Sequence, residues 1–460
     1  MAMNRWKRIL ALLLSVSMLF CLCACGEQSG GTGSEAPAPQ NTQQNDPAPS
    51  ETPNAPDSTD TEVPGETEEP GSETAPPIAH DNVQTLALQK QMYGLYEWDD
   101  DTLLAQSGFS HVTLWNEDAE KYPELAEVLE QTAGMVKRSM EDEFDNICAF
   151  VQEGWGGARD TTSVSTLDIQ VRRADSVVLS LLSDSYADFG MIQGVRAMQG
   201  TSYDTQTGQQ LELSDVIKDM GPIPALVEQE LNSHMWAGDF SYDGVVADYF
   251  RDTPTDSISW TLDYNGVTFY FGEGDLAEEG FGSMTATVSF AQHPELFEEK
   301  YMAVPDAYMV KLPLDYSFFT DLDGNGDMEE LNVTGWYDSD MGMYSEFGIY
   351  TDTDGYYHYE EFPADSYTPY YVKTAAGGHY LYLFGEQLEG YGPWFILKVI
   401  DVSDGRFTGV GTMNVGPACI SDNVYLIPTD PGQFWMDDYD ALLQEIAYTV
   451  GPMGLPELKP

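Results

Sequence analysis

Basic residues are scarce in this chain. Its 460 residues hold 19 lysines and arginines against 77 aspartates and glutamates, a formal net charge of -58. A polyanion of this kind cannot release phosphate counterions by presenting more carboxylates, so a nucleic-acid partner is excluded. The same field repels anionic polymers and lipid headgroups, and it attracts cationic proteins and divalent cations. Histidine is also sparse: His80, His111, His234, His293, His358 and His379 stand singly, with none of the spacing a zinc site needs. A Gly-x-Ser-x-Gly elbow, a Walker loop and a Cys/His protease signature are all missing, which disfavours a nucleophilic enzyme. Paired carboxylates for glycoside hydrolysis are not excluded, but acids occur so widely that they single out no position.

The bases that exist are unevenly placed. Arg5, Lys7 and Arg8 open the chain, and the next base is Lys90. Between them the apolar run Ile9 to Phe20 falls short of the ~20 residues that a membrane span requires. It is followed by Leu22-Cys23-Ala24-Cys25, and residues 1–25 resemble a bacterial lipoprotein signal peptide. Cys25 is then the expected lipidation site, acylated after Cys21 and Cys23 leave with the signal. The expected location is the outer leaflet of the cell membrane, with attachment through lipid alone and the protein facing the cell wall and extracellular space.

Residues 26–84 are Gly, Ser, Thr, Pro, Asn, Gln and acids, with almost no large apolar side chain and twelve carboxylates without a base. Nothing there offsets chain entropy, so a disordered acidic tether is expected. The remaining residues carry 65 acids and 16 bases. Overall composition, 42% hydrophobic and 12% aromatic, is ample for cores.

In 85–303, Leu125, Val128, Leu129, Ala133, Val136, Met140, Phe144, Ile147 and Phe150 recur at helical spacing and predict one long amphipathic helix. STLDIQVRRADSVVLSLLSDSYAD predicts a strand pair turning around Arg173 to Asp175. SYDTQTGQQLELSDVI predicts strand, polar turn, strand, and a helix capped near Ser214 or Asp215. WTLDYNGVTFYF predicts a hairpin at Asn265-Gly266, and SMTATVSF a further strand. Cys148, beside Ile147 on the helix, is expected as a buried thiol, and two free thiols at Cys148 and Cys419 are favoured over a bridge.

These clusters, in this order, resemble the extracytoplasmic domain family shared by the lysozyme-sensing anti-sigma factor RsiV and the peptidoglycan deacetylase PdaC. The resemblance covers about 120–300. It rests on the Tyr122-Pro123-Glu124-Leu125 helix start, the strand pair, the Tyr203-Asp204-x-x-Thr207-Gly208 stretch and the Asn265-Gly266 apolar hairpin. It implies an α+β domain whose motifs serve turns and packing. The sigma-binding and deacetylase segments of those relatives have no counterpart here, so neither activity is expected. What the resemblance does imply is capture of a cationic protein such as lysozyme, or of another cell-wall component.

Residues 304–460 alternate short aromatic and β-branched runs with turn signals such as Asp354-Gly355, Gly377-Gly378 and Asp404-Gly405, predicting a mainly antiparallel β domain. A closing helix over MDDYDALLQEIAYTV is expected, with Leu442, Leu443, Ile446 and Val450 inward. One motif has pointed chemistry. Asp321, Asp323, Asn325 and Glu329 place oxygen side chains at positions 1, 3, 5 and 9 of a loop whose Gly324 and Gly326 permit a tight wrap, and Asp327 adds a carbonyl at position 7. Asn332 stands where an EF-hand has its bidentate Glu, so a structural Ca2+ loop closing a β-hairpin is the expectation, against a solvated acidic turn. Thr351 to Gly355 has too few ligands and is read as an ordinary turn. Trp98 beside Asp99, Asp100 and Asp101, and the aromatics near Trp336 and Trp394, could stack on sugars. Their alternating runs favour core or strand positions.

The functional expectation is a non-catalytic surface lipoprotein that binds a wall-associated or cationic protein. A glycan-binding or glycan-processing enzyme and a calcium-stiffened structural subunit are the alternatives.

Overall fold

The computed structural model describes residues 83–459, apart from the internal segments 153–160, 190–193, 234–239, 279–281, 315–316, 326–327, 339–340, 360–361, 390–391 and 442–443. The expected signal segment, Cys25 and the tether to residue 82 lie outside the described residues. What is described is mostly β with few helices.

The chain opens with two long strands, β1 (Leu88–Asp99) and β2 (Thr102–Leu114), and continues into the helix α1 (Pro123–Gln152). The strands β3 (Ser163–Ala174), β4 (Val178–Asp188) and β5 (Val195–Asp204) follow. After α2 (Ile223–Ser233) and α3 (Val245–Asp252) come β6 (Ser259–Leu262), β7 (Gly266–Phe271) and β8 (Met284–Ser289). Beyond a short helical turn at 299–302, the rest of the chain is strands: β9 (Tyr308–Lys311), β10 (Ser317–Thr320), β11 (Glu329–Asp338), β12 (Met343–Thr351), β13 (Gly355–Tyr359), β14 (Ser366–Lys373), β15 (His379–Glu389) and β16 (Gly392–Asp401). The last are β17 (Thr408–Met413), β18 (Val415–Pro417), β19 (Cys419–Ser421), β20 (Val424–Ile427), β21 (Phe434–Asp438), β22 (Gln444–Val450) and β23 (Pro456–Leu458).

The largest sheet has the order β19-β20-β1-β2-β3-β4-β5. Its pairs are antiparallel except β2 with β3, where α1 supplies the crossover that a parallel pair needs. Leu125, Leu129, Val136 and Met140 of α1 lie against Leu167, Ile169 and Val171 of β3 and Leu179 and Leu181 of β4, as the helical spacing requires. The second cluster of buried residues joins α2 and α3 to the three-stranded sheet β6-β7-β8. Residues after 304 form the sheets β10-β11-β12-β13, β17-β16-β15-β14-β9 and β18-β21-β22-β23.

Two sequence motifs explain each other here. The Asp204 carboxylate accepts the N–H groups of Gln206 and Thr207 at 3.0 Å, closing a turn that ends at Gly208 with φ +66°. A Cβ on Gly208 would sit 2.7 Å from the Glu124 carbonyl oxygen, so the glycine lets this turn press on the first turn of α1. Tyr-Pro-Glu-Leu and Tyr-Asp-x-x-Thr-Gly are therefore two halves of one packing contact. The helical turn after it starts at Leu213 with Glu212 as its cap, and Asp215 accepts the Glu212 N–H at 2.8 Å, so Asp215 is the reciprocal partner of a capping box.

The expected C-terminal helix is not formed. Its span is the hairpin of β21 and β22, with Phe434 opposite Tyr448 and Met436 opposite Ile446. Asp438 turns the chain by accepting the Ala441 N–H at 3.1 Å and receives the Tyr448 hydroxyl at 2.7 Å. Ile446 and Val450, four apart, satisfy a helical period as well as the period of two that they share with Tyr448, and pairing with β21 decided between them. Leu442 and Leu443 lie outside the described residues.

Candidate functional site

The acidic loop joins β10 to β11, so strands flank it on both sides. Leu322 is buried and ties the loop to the core of the second region. Its N–H donates to Glu329 Oε2 at 2.6 Å, while the N–H groups of Gly324 and Asn325 donate to Asp321 Oδ1 at 2.6 Å and Asp323 Oδ1 at 3.0 Å. Gly324, at φ +77°, takes the left-handed turn that this wrap needs. Carboxylate oxygens of Asp321, Asp323 and Glu329 lie within 4.8 Å of one another. Two oxygens on one calcium ion, each at about 2.4 Å, stand at most about 4.8 Å apart, and the three separations fall within that upper limit. Asn325 is exposed and its Nδ2 donates to Asp323 Oδ2 at 3.0 Å, and Asp327 lies outside the described residues.

Glu329 is buried, and burial, followed by the charges of Asp323 and Asp321, pushes its carboxyl up to about 7. A cation held among the three would reverse that repulsion. The neighbouring turn at 351–355 is structural. Asp352 accepts the Glu330 N–H at 2.8 Å, Thr351 donates to the Gly405 carbonyl at 2.6 Å, and Asp354 accepts the Phe407 N–H at 3.1 Å.

The second charge feature is internal and was not legible in the sequence. Register slips between Val171 and Arg173, leaving Arg172 as the extra residue of a bulge in β3. Arg172 is fully buried, donates to Asp263 at 2.8 Å and lies over the Phe318 ring at 5.5 Å. Asp263 also receives the hydroxyls of Thr261 and Thr268 at 2.8 and 2.9 Å. Burial opposes the Arg172 charge, but Asp263 overrides it and holds the guanidinium above its usual range. Arg173, one residue before β3 ends at Ala174 and the chain turns at Asp175, donates to Asp175 at 2.7 Å and to the carbonyls of Tyr301 and Ala303 at 2.6 Å each. Asp168 of β3 is flanked by Lys90 of β1 and by Lys311 of β9, the latter at 3.0 Å. Burial would raise its carboxyl, but Lys311 and Lys90 outweigh that and hold it well below the carboxylate range.

Among the other expected sites, Cys148 and Cys419 are free, each half-buried. His111 and His379 are half-buried or buried far apart in the fold, and burial lowers the pKa of each. Trp98 sits on a strand, but it is 56% exposed and belongs to no core. Trp394 is partly exposed and packs on Tyr439 with ring centroids 4.7 Å apart.

No family profile matches this chain, and no curated protein does. Solved structures similar to it include a DUF3298 family member from Bacteroides fragilis, at 12% identity and TM-score 0.36, covering 47% of this chain and 96% of that one. A DUF3298 protein from Pseudomonas aeruginosa is similar at 14% identity and TM-score 0.33, covering 49% of this chain and 97% of that one. DUF3298 is the domain shared by RsiV and PdaC, the family that the motifs of 120–300 resemble. Superpositions at these scores say nothing of ligand or activity.

Arg172→Ala leaves Asp263 buried beside two hydroxyls with no counter-charge. Urea unfolding of this variant is expected to show a loss of about 3 to 5 kcal/mol. A loss under about 1 kcal/mol would mean that the pair does not hold the fold.

Proposed function

We propose that this chain is a non-catalytic, cell-surface lipoprotein that binds a cationic protein of the wall environment, of the lysozyme type. In this reading an α+β domain of the RsiV/PdaC kind is followed by a β-rich domain, both carried on a tether from lipidated Cys25. The observation that supports it most is the sorting of charge. Arg172 and Arg173 are fully buried as partners of buried carboxylates, and Lys90 and Lys311 are part-buried around Asp168, so the outer surface is more one-signed than the sequence as a whole. A surface of that kind steers cationic proteins and discriminates by charge more than by shape. Titration of the full chain with lysozyme is expected to show binding at low salt that weakens at moderate salt. No binding at either salt concentration would sink the proposal.

Calcium has a structural part in the same proposal. Asp321, Asp323 and Glu329, with Asn325 and the Asp327 carbonyl completing the set, would hold the ion. Bound there, it supplies the positive charge that three clustered carboxylates lack and staples β10 to β11. Millimolar Ca2+ in place of EDTA is expected to raise the melting temperature of the full chain by several degrees, and Asp323→Asn is expected to abolish the rise. Equal melting temperatures in the two conditions would remove the loop as a calcium site.

A further inference from the structure

The face of the large sheet opposite α1 is closed at one end and open at the other. At the closed end Lys90 and Asp168 meet Lys311 of the second region. Moving along β1 away from that junction, every second residue is exposed: Met92, Gly94, Tyr96 and Trp98. Strand register carries the same face across the sheet. Gly94 is opposite Gly108, Gly108 is aligned with Thr166, Thr166 is opposite Tyr186, and Tyr186 is opposite Arg196.

Two tyrosines on this face fold back onto the backbone. The Tyr96 hydroxyl would be 2.9 Å from a Cβ on Gly94, and the Tyr186 hydroxyl 2.3 Å from one on Gly194, so each tyrosine lies back over a glycine. The result is a shelf of aromatic surface that rests on glycine backbone at Tyr96 and Tyr186. Tyr96 is 60% exposed and Trp98 56%, high values for rings of this size. Among the described residues the base in these exposed rows is Arg196, which donates to both oxygens of Asp184, at 2.8 and 2.5 Å. The hairpin tip that borders the shelf is Asp99-Asp100-Asp101, all exposed.

Exposed rings bordered by carboxylates suit a cationic side chain: the ring face attracts an ammonium or guanidinium, and the acids supply charge-assisted hydrogen bonds. We propose that this open sheet face is the docking surface, and that it takes a lysine- and arginine-rich segment of the partner. The proposal rests on the cationic-partner reading and adds to it a place and a mode of recognition. The choice of occupant comes from charge complementarity: a rim of three adjacent carboxylates, with the one base neutralised, favours a cation over a neutral glycan.

Calorimetric titration of the full chain with poly-L-lysine of about 20 residues tests it. The double variant Tyr96→Ala, Trp98→Ala keeps the net charge, and it is expected to bind about tenfold more weakly than the unmodified chain. The triple variant Asp99→Asn, Asp100→Asn, Asp101→Asn is expected to bind more weakly and with a shallower salt dependence. Asn at position 100 tolerates the φ of +51° found there, so the hairpin turn is retained. All five positions are exposed, and melting temperatures unchanged from the parent would show that the fold is kept. If the ring variant binds as tightly as the parent, the docking surface is wrong while the cationic-partner reading stands. If the parent fails to bind, both fall. If an N-acetylglucosamine tetramer binds in place of polylysine and is lost in the ring variant, the face is a glycan site and the proposal is overturned.

Discussion

Two adjacent arginines on β3, an interior strand of the largest sheet, have no route to water. Arg172 and Arg173 are each buried with a carboxylate partner, and their positions fix much of what surrounds them. A buried guanidinium left without a counter-charge would cost more than the fold can supply, so Asp263 and Asp175 must be delivered to within hydrogen-bond distance. Delivering Asp263 sets where the β6–β7 turn lies, and Arg173 holds the carbonyls of Tyr301 and Ala303 at the point where one region passes into the next. In a chain with so few bases, burying two of them and half-burying Lys90 and Lys311 against Asp168 leaves an exterior where acids meet little opposition.

The two regions are consequently hard to separate. β20 pairs with β1 across more than 300 residues of sequence, placing strands from both ends of the described chain in one sheet. Tyr264 stacks on Tyr308 with centroids 3.8 Å apart, and Thr429 donates to the Leu86 carbonyl at 2.7 Å. Together with the Asp168 cluster these contacts close one end of the sheet face and leave the other open. The acidic loop between β10 and β11 stands apart from this arrangement, anchored through Leu322 in the core of the second region.

Much of this was legible in the residues, for physical reasons that differ by element. Helix α1 declared itself because its apolar positions keep one period over many turns, and the β3–β4 and β6–β7 hairpins because β-branched runs flank short polar turns. The flanking of the acidic loop by strands followed from the runs on either side. The β1–β2 hairpin gave no such signal, because one face of β1 is solvent-exposed and carries its aromatics outward. A search for buried alternation passes over a strand of that kind. The β21–β22 hairpin was misread because Leu442, Leu443, Ile446 and Val450 satisfy a helical period, and only pairing with Phe434 and Met436 selects the strand. The ion pairs were invisible for another reason. Arg172 finds Asp263 across 91 residues, a distance that no local pattern encodes.

Arginines buried with their counter-charges, and strands shared between the regions, make one cooperative body of the described residues the expectation. Differential scanning calorimetry of the full chain tests it most directly. One transition is expected, with calorimetric and van't Hoff enthalpies that agree. Two resolved transitions, one for the region before residue 304 and one for the region after it, would contradict it.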